Sequence, residues 1–132
     1  MLLMKLRTEE KFAFLHLAQY VAKLDEDYSQ KEREVIEEYC MEMGVENIDV
    51  DLSSFRLEEN LATFLSDKSR KIAVLALMVL VHIDDKYGLY EQKVMHQIAD
   101  AFHFSHETMH LFSMWGKAGS AMYEQALLLT SK

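Results

Sequence analysis

The residues best suited to chemistry in this chain are carboxylates that recur at a fixed spacing. Leu24-Asp25-Glu26-Asp27-Tyr28-Ser29-Gln30-Lys31-Glu32 and Ile83-Asp84-Asp85-Lys86-Tyr87-Gly88-Leu89-Tyr90-Glu91 share one pattern, 59 residues apart: apolar, Asp, acid, any, Tyr, small, two of any type, Glu. Each copy reads as the end of one helix, a tight turn and the start of the next. The candidate metal ligands are Asp25, Glu32, Asp84 and Glu91, with Glu26 and Asp85 as auxiliary charge. An all-oxygen set suits Ca²⁺, Mg²⁺ or Mn²⁺ better than Zn²⁺. An EF-hand is excluded, because its loop needs Gly at position six and Glu at position twelve, and Glu32 falls at position eight counted from Asp25.

Capping competes with metal binding for the same residues. Ser29 and Glu32 have the spacing of a capping box, in which the hydroxyl accepts from the N3 amide and the carboxylate accepts from the cap amide. The second copy has Gly88 at the cap and so keeps only the Glu91 half. Asp25 and Asp84 are harder to explain. An acid near a helix C-terminus meets the negative end of the macrodipole, a penalty of roughly 0.3–1 kcal/mol. Compensation must come from the amides of the following helix, from a Lys or Arg, or from a bound cation.

A second motif, His106-Glu107-Thr108-Met109-His110, spells H-E-x-x-H. On a helix it would hold zinc between two imidazoles with Glu107 as the base, and Glu124 or His103 as a further ligand. It falls directly after the Ser105 cap, on a first turn. The extended H-x-x-G-x-x-H pattern fails at Ser113 and Gly116, and no strand is available to hold a peptide substrate. With six histidines in the chain, exposed helix residues are the default reading, and His16, His82 and His96 read as isolated hydrogen-bonding residues. No Ser/His/Asp or Cys/His triad and no glycine-rich phosphate loop occurs, so the expectation is a non-enzymatic domain.

Six helices must position these groups. The first spans about Thr8, read as the N-cap, to Leu24. The second runs from after Ser29 to Met43 and is closed by Gly44. A polar stretch, Val45 to Ser54, leads to a short helix near Leu57–Leu65. The apolar helix covers about Asp67–Ile83, the fifth about Leu89–His103, and a last helix capped by Ser105 reaches towards Leu129. The absence of proline and the presence of only four glycines argue against a sheet protein. The stripe Val35, Ile36, Tyr39, Cys40, Met43 matches Val94, Met95, Ile98, Ala99, Phe102 at the same shift of 59. The fold class is therefore all-α, a compact bundle in one domain over 1–132. Its pseudo-symmetric halves are about 8–44 and 67–103, with a last helix at about 106–129. The methionines are expected mostly on core faces. Gly116, Gly119, Ser120 and Ala121 form a small-residue patch for close helix packing or a homodimer seam.

Charge narrows the partners. Residues 25–60 hold thirteen acids and three bases, a net of −10; the segment before them carries +2 and the remainder is neutral, which leaves −8 overall. Such a field repels phosphate backbones and anionic lipid and attracts cations or a basic protein surface, so no nucleic acid is expected. Ile72 to Val81 is too short to span a bilayer, which takes about 20 apolar residues. The single Cys40 reads as a small buried hydrophobe, and with no signal-peptide pattern at the start the expected location is cytoplasmic.

The repeated Asp-x-x-Tyr-x-x-x-Glu turn, flanked by Leu17-Ala18-Gln19-Tyr20-Val21-Ala22 and followed by the Val35/Ile36 stripe, resembles the tellurite-resistance TerB-like domain over about residues 8–130. The resemblance implies a compact helical bundle with internal pseudo-symmetry, a link to tellurite resistance and stress response, and metal binding by the acidic turns. Asp25 and Glu32 match the family's acids in the first turn, Asp84 and Glu91 those in the second. The departure is the residue after each Asp: the family has Gly, and here Glu26 and Asp85 stand in its place. The alternative is a protein–protein interaction domain whose acidic turns are purely structural. The third reading is a small HExxH zinc hydrolase.

Overall fold

The computed structural model describes residues 2–24, 28–85 and 87–131, Asp85 by its backbone alone. It is a bundle of six α-helices with no strand among the described residues: α1 (Thr8–Ala22), α2 (Gln30–Met43), α3 (Leu57–Leu61), α4 (Asp67–His82), α5 (Leu89–Phe102) and α6 (His106–Thr130), with 3₁₀ turns at Leu3–Lys5 and Ile83–Asp85. No described helix is long and apolar enough to cross a membrane.

The apolar helix α4 is the central element. Ala73, Val74, Leu77, Met78 and Leu80 are buried on it and meet Phe14 and Leu17 of α1, Ile36 of α2 and Ile98 of α5 in one core. Each large side chain so buried contributes roughly 1.5–3 kcal/mol. The closest approach is to α6. Gly116 is buried there because a Cβ would run into Met78, within 2.6 Å of its backbone carbon and 2.7 Å of its carbonyl oxygen. Gly116 and Ser120 thus serve intramolecular packing, while Ala121 faces solvent. The methionines divide: Met43, Met78 and Met95 are in the core, but Met41, Met114 and Met122 are exposed, contrary to the reading of core faces. Cys40 is buried, and burial pushes its thiol up to about 11.

Helix limits follow local chemistry. Thr8 is not the N-cap of α1. Arg7 holds that position without a capping bond from its side chain, and the end is closed by Glu10, whose Oε1 accepts from the Arg7 amide at 2.9 Å. The other Glu10 oxygen accepts from the Leu65 amide at 3.1 Å. This bond helps end α3 early: the amides of Thr63 and Phe64 turn to carbonyls three residues back, and Leu65 turns to Glu10. The polar stretch after α2 is clamped by buried Gln19, which donates to Ile48 O at 2.7 Å and accepts from Val50 N at 3.0 Å.

The shift of 59 recurs in the backbone. Ser29 and Gly88 are the N-caps of α2 and α5, and Gly44 and His103 are their left-handed C-caps at φ 71° and 59°. Val45 N donates to Cys40 O at 3.0 Å, and Phe104 N to Ala99 O at 2.9 Å, again 59 apart. These equivalences are local, confined to helix limits and caps.

Candidate functional site

The second acidic turn forms because α4 stops abruptly. His82 is its last residue, Ile83 is extended and buried, and Asp84 is left-handed at φ 70°, ψ 5°. Asp tolerates that region better than most residues. The left-handed residue is thus the Asp itself, and Asp85 has no positive φ. Asp85 therefore adds charge to the turn without left-handed backbone strain of its own.

Asp84 is brought to the first turn. Lys31, on the opening turn of α2 beside Glu32, reaches Asp84 Oδ1 at 3.6 Å and Glu124 Oε2 of α6 at 3.2 Å. The Asp84 side chain is only 14% exposed. The Glu124 carboxylate, by hydrogen bond and by charge, and Asp84 beside it hold the Lys31 ammonium above the ordinary lysine range. Part of the positive charge that the sequence required is therefore Lys31. Lys31 is the only base between residues 24 and 32, a signal that was available in the sequence.

Glu32 and Glu91 are buried, 7% and 3% exposed, and both engage helix ends. Glu32 Oε1 accepts from the Ser29 amide at 2.9 Å while Ser29 Oγ accepts from the Glu32 amide at 3.1 Å. Glu91 Oε1 accepts from the Gly88 amide at 3.1 Å, and Gly88 has no side chain with which to answer. The tyrosines of the repeat pack nearby. Tyr28 lies under the Arg33 guanidinium at 4.1 Å, and Tyr87 meets His82 edge-on at 4.8 Å. Burial raises both phenols; at Tyr28 the Arg33 charge opposes the rise while Asp49 and Glu32 add to it, and at Tyr87 Glu91 adds to it.

Asp25 and Glu26 lie outside the described residues, as does the side chain of Asp85. Of the four candidate ligands, Glu32, Asp84 and Glu91 are therefore described. Lys31 joins the Glu32 turn to Asp84, but among the described residues no three His, Cys, Asp or Glu side chains converge in a metal-holding arrangement.

The H-E-x-x-H residues open α6, where Ser105 Oγ accepts from Thr108 N at 3.1 Å. His106 and His110 are exposed and line, with His96 and Asp100, a cleft of about 500 Å³ beside α5. Glu124 cannot join them: fourteen residues of helix separate it from His110, roughly 21 Å at 1.5 Å per residue. His82 is half-buried with Nε2 2.8 Å from Ser113 Oγ, and His16 bonds the Phe12 carbonyl. No family model, curated protein or solved structure matches this chain.

Proposed function

We propose that this chain is a non-enzymatic TerB-like module of the stress-response or tellurite-resistance type, which works by binding a divalent cation where its two acidic turns meet. The observation that carries this reading is the Lys31–Asp84 pair, which places the opening of α2 beside the second turn. In that setting Glu32, next to Lys31 in the chain, belongs to the same region of the bundle as Asp84. Glu32, Asp84 and Glu91 offer oxygen only, which suits Ca²⁺, Mg²⁺ or Mn²⁺. Asp25 would complete the set, with Glu26 and Asp85 adding charge. Lys31 would then compete with the ion for Asp84.

The second reading, an interaction domain with purely structural turns, draws on the same pair: Lys31 and the cap amides already answer the carboxylates. Thermal melts with added Ca²⁺ or Mn²⁺ separate the two, because an ion that binds only the folded state raises the melting temperature. The cation reading expects a saturable rise in the native chain, a larger one in Lys31→Met, and none in the Asp25→Asn, Asp84→Asn double variant. Flat melts in both the native chain and Lys31→Met would leave the structural reading.

A further inference from the structure

An almost wholly apolar concavity lies away from the acidic turns, between α4, α6 and the N-terminal 3₁₀ turn. It encloses about 540 Å³. Its walls include Leu3, Ile72 and Val79 on one side and Trp115, Gly119 and Met122 on the other. The one hydroxyl in the lining, that of Tyr39, is already bonded, donating to Ala76 O at 2.8 Å. Trp115 is 43% exposed and Met122 69%. Between them Ala118 is exposed, and Gly119 leaves the Val79 side chain within 3.2 Å of where a Cβ would sit. Two bulky side chains thus flank a small-residue floor about one turn from each.

Charge differs at the two ends of this trough. At the Ile72 end it adjoins a hollow lined by Lys5, Lys68, Arg7 and the buried Glu10, with Arg7 paired to Glu9 and Glu10, so its open charge is that of Lys5 and Lys68. At the Val79 end it adjoins one lined by Glu38 and Glu42. Glu42 is engaged by the Leu3 amide at 2.7 Å, whereas Lys5, Lys68 and Glu38 are exposed.

We infer that this trough is the seat of a second copy of the chain, paired about a two-fold axis passing near Ala118 with the two troughs antiparallel. An isologous contact requires a self-complementary patch. Antiparallel pairing puts the basic end of each copy beside the acidic end of the other, and sets each Trp115 against the Met122 end of the other trough while the small floors meet at the axis. Parallel pairing would set like charges together. A uniformly basic partner would match only one end.

Sedimentation equilibrium of the full chain, from micromolar to millimolar concentration, tests the pairing. The expected result is a monomer–dimer equilibrium whose dissociation constant rises at least about tenfold in Met122→Glu, as for a truncated central anchor. Helical circular dichroism checks that this exposed substitution leaves the fold intact. Lys68→Glu and Glu38→Lys should each weaken the dimer about two- to fivefold, the range of an exposed ion pair. The double variant should return towards the native constant, because the opposed charges are restored across the two-fold. A chain that stays monomeric throughout, a dimer indifferent to Met122→Glu, or a double variant weaker than either single one would each overturn the inference.

Discussion

At Ser29 the first turn closes α2 with two reciprocal hydrogen bonds, whereas at Gly88 the second turn closes α5 with the Glu91 carboxylate alone. The helices that follow are both fourteen residues long and end in left-handed caps 59 positions apart. The hydroxyl is therefore dispensable to the turn, and the buried Glu at N3 is the shared device. Glu10 repeats it at the start of α1, outside either acidic turn, again accepting from the cap amide three residues back. A carboxylate with this role is adequately explained by helix closure. Asp84 is not, because it caps no following helix and relies on Lys31 across the fold.

The largest expected effect follows from that asymmetry. Glu91→Ala should cost about 2–3 kcal/mol in urea unfolding, since it removes a buried carboxylate that accepts from the Gly88 amide with no Ser hydroxyl in reserve. Glu32→Ala should cost roughly 1–2 kcal/mol, because Ser29 Oγ can still accept the amide at position 32. Equal costs would show that the Ser29 hydroxyl gives α2 no reserve, and the reverse order that the Glu91 carboxylate is not the main closure of α5.

Glu10 supplies an internal control. Burial raises its carboxyl, but the Arg7 and Leu65 amides, the Ser69 hydroxyl and the Arg7 charge outweigh that and hold it below the usual range. A carboxyl depressed on folding adds stability above its unfolded value, about 4.3, and this is lost as pH falls through its lower folded value. Glu10→Gln should therefore flatten stability against pH below about 4.3. Divalent cation should leave that acid limb unmoved, since Glu10 stands outside the turns. A cation-dependent shift that vanishes in Glu10→Gln would assign the ion to the wrong place.

Much of this was legible in the sequence because it depends on local spacing. Helix periodicity located all six helices, and Ser29, Gly44 and Ser105 sit at the ends their chemistry suits. The Thr8 cap failed because a carboxylate three residues after Arg7 outcompeted a hydroxyl at Thr8. The end of α3 was misjudged for a related reason: the acceptor of the Leu65 amide is 55 residues away. The Lys31 bridge to Asp84 and Glu124 is likewise a product of tertiary packing, invisible to periodicity. The exposed methionines of α6 were misread because a helix apolar on several faces gives no clue, from sequence, to which face α4 covers.

At the opposite ends of the same helices the contrast is between Gly44 and His103. Gly44 at φ 71° has open space around it, so Gly44→Ala should lose roughly 1 kcal/mol through backbone strain alone. His103 holds the equivalent conformation at φ 59° with a side chain, and His103→Gly should recover up to about 1 kcal/mol, less the extra freedom of glycine in the unfolded chain. Opposite signs at matched positions would tie both effects to the cap geometry.

The smallest change asks whether the first turn's device can be transplanted to the second. Gly88 stands at φ −78° and ψ 175°, extended backbone open to any residue, so its glycine is not required by conformation. Gly88→Ser would give the Glu91 amide the hydroxyl acceptor that Glu32 already has, and should stabilise the chain by a few tenths of a kcal/mol. The gain should grow in the Glu91→Ala background, where the new hydroxyl would be the only side-chain cap left. A gain of equal size with and without Glu91 would mean that hydroxyl and carboxylate act independently rather than as one reciprocal box.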